Sequence, residues 1–267
     1  MCYTELRAAA AARSDLIDRG AICMMNEKRV RILAWCILIL AVIGGAALGG
    51  LNNYGLLSFR HPLASAQPGQ VRVACVGDSV TYGYGIKNRA QNNYPAVLQT
   101  MLGDGYCVNN YGYSGRTASD TGDRPYRNEA LFQQSLDFAP DIVVLMLGSN
   151  DSKAKNWDED AFVESYTALL EQYLALPSAP LVFAVLPTPV FEAKGGEVKF
   201  GIQKDVIAEK IVPLTRDIAK AHGVEIIDMY SVFEGRSDLF SDGCHPTAAG
   251  AALFAKTVYA AIAEIRK

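Results

Sequence analysis

From Val71 onward, short unbroken apolar runs alternate with stretches in which apolar residues recur every three to four positions. The runs at 71–76, 106–110, 141–147, 181–186 and 224–228 predict strands. The helical periodicities cover 94–102, 128–138, 160–176, about 203–221 and 247–265. Within the strand runs the apolar residues are continuous rather than alternating, so both faces of the sheet must be covered. Five strand–helix alternations predict a parallel α/β sheet in three layers, built from one domain over 71–267.

An earlier segment follows no such rhythm. Residues 32–51, ILAWCILILAVIGGAALGGL, carry no charge. As a helix, twenty residues extend roughly 30 Å, the hydrocarbon thickness of a bilayer. Lys28, Arg29 and Arg31 lie just before them. The positive-inside rule then keeps the N-terminus cytoplasmic and exports the rest. We therefore expect a cytoplasmic tail over 1–31, a transmembrane signal anchor over 32–51, a polar linker over 52–70 and an extracytoplasmic domain. Ala64-Ser65-Ala66 fits the small-x-small rule for signal cleavage but lies far downstream of the apolar run, which favours an uncleaved anchor. Cleavage there would leave a secreted or periplasmic protein. Met24 and Met25 directly precede NEKRVR, as at the start of an export signal, and translation is expected to begin there.

Composition narrows the partners. The chain has 267 residues, half of them apolar, and a net charge of −3 with no basic block, so no nucleic acid is expected. Its six cysteines form no CxxC pair, which argues against a disulfide framework or a zinc site. Three histidines are too few for a histidine-rich metal site, and no metal or cofactor is expected. Cys75 and Cys107 fall on strands that should be neighbours, as core thiols or as an oxidisable pair. Oligomeric state is left open.

In parallel α/β sheets the working crevice lies at the carboxyl ends of the strands. The residues there read Gly77-Asp78-Ser79, Gly112 to Thr117, Gly148-Ser149-Asn150-Asp151 and Pro187-Thr188-Pro189, and the last helix is preceded by Ser241-Asp242-Gly243-Cys244-His245-Pro246. Singly, each is a turn or a helix cap. Together they hold the parts of nucleophilic ester chemistry. Ser79 is a weak nucleophile until a base takes its proton. His245 is the histidine placed to do so, because His61 falls in the linker and His222 at a helix end. Asp242, three residues before His245, can fix the imidazole tautomer. The N–H groups of Ser79 and Gly115 and the Asn150 amide are candidate donors to an oxyanion. Asp151 reads as a turn cap and Cys244 as a packed thiol.

GDSVTYG, NYGYSGRT, LGSND and DGCHP resemble, in order and spacing, the four signature blocks of the SGNH (GDSL-type) hydrolases. The resemblance covers about 71–267. It implies a flavodoxin-like sandwich with five parallel strands. It implies Ser79 as nucleophile, Asp242 and His245 completing a triad, and Ser79, Gly115 and Asn150 as the oxyanion hole. Gly112 is also available in the second block, but the S-G-x-T context matches Gly115. Val80 replaces the leucine of GDSL at a core position. Longer stretches resemble bacterial sialate O-acetylesterases and acetylxylan-esterase-like proteins. That implies hydrolysis of O-acetyl esters on carbohydrate such as sialic acid or xylan. An exported lysophospholipase or thioesterase is the alternative. Tyr84, Arg116, Arg124 and Trp157 are candidate sugar contacts, by ring stacking and ion pairing. A nucleotide-binding flavodoxin-like protein is disfavoured, because the first turn lacks G-x-G-x-x-G and offers an acid instead.

Overall fold

The computed structural model describes residues 32, 35–45, 62–193 and 195–265. The chain divides after Gly50 into two compact units. In the first, the described part of the expected anchor is an apolar helix, α1 (Trp35–Gly45). Its large apolar side chains, Trp35, Ile37, Leu38, Ile39, Leu40, Val42 and Ile43, are each more than half exposed. The tail over 1–31, Met24, Met25 and His61 lie outside the described residues, as does the first part of the expected linker.

The second unit is built on five strands: β1 (Val71–Gly77), β2 (Tyr106–Gly112), β3 (Ile142–Met146), β4 (Leu181–Leu186) and β5 (Glu225–Asp228). Their order across the sheet is β2-β1-β3-β4-β5, and every pairing is parallel. Val73 opposes Val108 on one side and Ile142 on the other. The chain direction across the sheet thus reverses at β1, and the carboxyl ends of β1 and β3 flank the switch point at which such sheets place ligands.

Alternate strand residues feed two cores. Ala74, Val76, Val143, Leu145, Val182 and Ala184 meet α5 (Ala130–Asp137), α6 (Glu159–Leu174) and α8 (Val212–Ala221). Val73, Cys75, Ile142, Val144, Phe183 and Val185 meet α4 (Tyr94–Leu102), α9 (Met229–Phe233) and α10 (Ala248–Ile265). Tyr94 stacks on Phe254 with ring centroids 4.2 Å apart. By length and composition α10 could cross a bilayer. Its buried residues, Gly250, Ala251, Phe254, Ala255, Val258 and Ile262, instead form one stripe at helical spacing against the sheet.

The structure refines several expectations. The end of the expected linker is not loose. Both peptide groups of Ala64 bond the Asn109 side chain on β2, at 2.8 and 2.9 Å, and the Gln70 amide reaches the Asp104 carbonyl at 2.8 Å. Cys75 and Cys107 are free thiols, because Cys107 opposes Arg72. Three steps of strand put Cys75 roughly 10 Å further along, beyond disulfide reach. The helix opened by Ser79, α2 (Ser79–Tyr82), lasts one turn and stops at Gly83 in the left-handed region. Two short helices, α3 (Arg89–Asn92) and α9, were not foreseen. The helix expected over 203–221 begins as α7 (Lys204–Val206) and passes through a π turn over Ile207–Ile211 before α8. Pro213 explains the widening, since it has no N–H for the carbonyl one turn back.

Candidate active site

Ser79 leaves the sheet at the end of β1. Asp78 is the N-cap of α2 and its carboxylate accepts the Val80 N–H at 2.9 Å. The cap holds the turn that turns Ser79 toward the switch point. His245 comes from the loop before α10, and its Nε2 lies 2.9 Å from Ser79 Oγ. Its Nδ1 lies 2.8 Å from Asp242 Oδ2. The other Asp242 oxygen accepts the N–H groups of Cys244 at 3.0 Å and His245 at 2.8 Å. Burial pushes the Asp242 carboxyl up, but the His245 ring and these two N–H groups outweigh it and hold it at about 2. The three side chains form one hydrogen-bonded line, with the carboxylate charged at its far end.

The imidazole is held from its faces as well. The Tyr84 ring tilts against it at a centroid distance of 4.6 Å, and Phe200 meets it edge-on at 5.1 Å. Phe200 sits at φ +64°, a backbone conformation that costs a bulky residue energy. His222, as expected, serves elsewhere: it ends α8 with Nδ1 2.9 Å from the Ile218 carbonyl.

Ser79, Gly115 and Asn150 line one cavity of ≈ 220 Å³ with His245. Gly115 has φ +83°, which suits glycine. Among the described residues, neither the Ser79 N–H nor the Gly115 N–H has a protein acceptor. The Gly112 N–H is taken by Asn110 Oδ1 at 2.9 Å, which removes Gly112 from contention. The Asn150 amide donates to the Arg116 carbonyl at 3.1 Å and, more weakly, to Asp78 Oδ2 at 3.3 Å. Asp151 is structural: its buried carboxylate accepts the N–H groups of Ala118 at 3.0 Å and Ser119 at 2.7 Å. Cys244 is buried and its thiol donates to the Lys199 carbonyl. Among the described residues no cluster of side chains could hold a metal ion.

The four candidate sugar contacts separate. Tyr84 lines the cavity. Arg124 is not part of the lining but lies next to Gly115, since a Cβ added there would lie 3.6 Å from its Nη1. Arg116 is committed elsewhere: it pairs with Glu129 at 2.7 Å, donates to the Ser114 carbonyl and lies 3.4 Å over the Tyr113 ring. Trp157 packs on the core beside Phe162, away from the cavity lining. Sequence reasoning missed Ser114, Val190, Phe200 and Ile202, which complete the wall. Ser114 lies inside the second block and was legible there. Phe200 and Ile202 come from an irregular loop after β4, where no period marks them.

A family model described as the GDSL-like Lipase/Acylhydrolase family matches residues 75–253. An acetylxylan esterase from Xylanibacter ruminicola is 37% identical over 211 residues, 72% of this chain and 43% of that protein. The chain thus spans less than half the length of that relative. A crystal structure of a carbohydrate acetylesterase from Sinorhizobium meliloti superposes with a TM-score of 0.58 at 23% identity, covering 73% of this chain and 100% of that one. An aryl esterase from M. smegmatis gives 0.57 at 21% identity, over 73% and 99%. These two likenesses establish the fold.

Proposed function

The chain belongs to the GDSL-like lipase/acylhydrolase (SGNH) family, a family of ester hydrolases, and from that premise we propose that it removes short acyl groups, chiefly acetyl, from carbohydrate. The observation that carries the reading is His245 seated between Ser79 Oγ and the Asp242 carboxylate, at 2.9 and 2.8 Å. In this reading Ser79 Oγ attacks the ester carbonyl while its proton passes to His245 Nε2. Asp242 stabilises the imidazolium through Nδ1–H. The tetrahedral oxyanion takes the free N–H groups of Ser79 and Gly115. Asn150 supplies the third donor by releasing its longer bond to Asp78. Collapse breaks the bond to the sugar oxygen, which leaves as an alcohol with the proton from His245. Water, deprotonated by the same imidazole, then attacks the acyl-enzyme, releases acetate and restores Ser79.

Two features support a small acyl group. The cavity, at ≈ 220 Å³, falls below the size that holds a drug-sized ligand. Its apolar wall, Val190 and Ile202 among others, suits a methyl group. The name of the Xylanibacter relative supports a polysaccharide ester. An exposed apolar helix at Trp35–Gly45, within a run of uncharged residues preceded by three cations, supports a membrane anchor that holds the domain outside the cytoplasm.

The test is hydrolysis of p-nitrophenyl esters from acetate to decanoate by the full chain in detergent, beside Ser79→Ala. It continues with acetate release from acetylated xylan and acetylated sialic acid. Acetate should be preferred, and the substitution should lower the rate on the order of 10³-fold or more. A preference for long chains would move the assignment to a lysophospholipase.

A further inference from the structure

We propose that Lys153 and Arg124 form a subsite for a carboxylate on the sugar that carries the acetyl ester. The proposal rests on the carbohydrate esterase reading and deepens it: the substrate is an acidic sugar unit.

The cations near the site sort into two kinds. Arg116 pairs with Glu129, Arg127 with Asp120 and Lys155 with Asp123. Among the described residues, Lys153 and Arg124 have no carboxylate within ion-pair distance. Many surface lysines lack partners too, and there water serves. Lys153 differs because it is half-buried and lines the same cavity as Ser79, Gly115 and Asn150. The neighbouring acids keep their charge, but their oxygens bond other groups. Asp123 holds Lys155 at 2.5 Å and Asn156 at 2.9 Å. Asp78 accepts Val80 and Asn150. Asp151 accepts Ala118 and Ser119.

Lys153 thus feels Asp123 and Asp78 at a distance but, among the described residues, has no carboxylate in direct contact. Burial pushes the Lys153 ammonium down from its ordinary pKa; Asp123 and Asp78 oppose this, while Lys155 and Arg124 push it down further. A partly desolvated cation gains most from an anion that enters with the substrate. Arg124 is exposed and lies next to Gly115 of the cavity wall, with its Cδ 3.9 Å and its Nη1 3.6 Å from where a Gly115 Cβ would stand. A guanidinium offers a planar carboxylate two parallel hydrogen bonds, and an ammonium adds a point charge. Ser114 also lines the cavity, and its Oγ is buried with no partner. Lys153 and Ser79 share one small cavity, so the carboxylate belongs on the acetylated sugar itself or on the unit joined to it.

The experiment uses the full chain and a matched pair: an acetylated methyl glucuronoside and its methyl ester, with acetyl at the same position. The wild-type kcat/KM should favour the free acid about ten-fold or more, and added salt should compress that ratio. Lys153→Met and Arg124→Met should each draw the ratio toward one, and Lys153→Arg should restore part of it. A ratio of one or less in the wild type overturns the proposal, as does a ratio unchanged in both Met variants. If neutral acetylated xylan is cleaved well while the acid gains nothing, the esterase reading stands and only the subsite falls. If p-nitrophenyl acetate is also left intact, both fall. Preference for an acetylated glucose 6-phosphate over the glucuronoside would overturn the carboxylate in favour of a phosphate.

Discussion

Asp242 and Asp151 are both acids in the same crevice, and their surroundings move them in opposite directions. Asp242 is held at about 2 in the folded chain, against 3.8 unfolded. A lowered folded pKa gives stability that is present above about pH 4 and lost as pH falls toward 2. The shift corresponds to about 2 kcal/mol. Urea unfolding at about pH 5 and pH 2.5 should show this loss, and Asp242→Asn should remove that part of it. The same substitution should lower kcat on the order of 10³-fold by spoiling the imidazole tautomer. Burial instead raises Asp151 to about 6, with the Ser119 and Ala118 N–H groups only partly opposing it. Here the folded state holds the proton more tightly, so stability should decline as pH rises from about 4 to 6. Asp151→Asn should flatten that decline, read by thermal melts across the same range.

At the scale of elements, the loop that carries Asp242 and His245 depends on Gly243. It has φ +86°, and a Cβ there would stand 2.1 Å from the Phe191 carbonyl oxygen. That oxygen belongs to the backbone and cannot swing aside. Gly243→Ala should therefore displace the loop, cutting kcat more than ten-fold while costing about 1–3 kcal/mol of stability. Activity assays beside melting curves check this. The five strands were legible because a parallel sheet buried on both faces needs unbroken apolar runs. The positions of Ser79 and His245 were legible because Ser79 stands just beyond such a run and His245 next to Pro246 before a helix, with Asp242 three residues ahead of it. The pairing of Arg116 with Glu129, thirteen residues on, was not, since no helical or strand period joins them. Nor was the contact of Phe200 with His245, made by an irregular loop folded across the crevice.

At the scale of the molecule, two apolar helices stand out among the described residues, and their environments tell them apart. The stripe on α10 is buried in the core, whereas α1 presents apolar side chains on every side. The full chain should pellet with membranes after alkaline extraction, and Lys or Asp substitutions at Leu38 and Val42 should release it. Corresponding changes at Phe254 or Val258 should instead unfold the domain, by about 3–5 kcal/mol for Phe254→Ala. The two outcomes are separated by whether esterase activity survives in the supernatant.

If the proposed anchor is cut at Ala64-Ser65-Ala66, the clasp between Ala64 and Asn109 sets a clock on that cut. A signal peptidase must take Ala64-Ser65-Ala66 as a bare extended strip, yet in the folded domain both peptide groups of Ala64 are spoken for. Docking of this segment on β2 and proteolytic trimming then exclude each other, and in an anchored chain whichever comes first would decide between a tethered and a released form. Slowing the docking with Asn109→Ala should raise the share of shortened chains in the culture medium, and speeding folding should lower it.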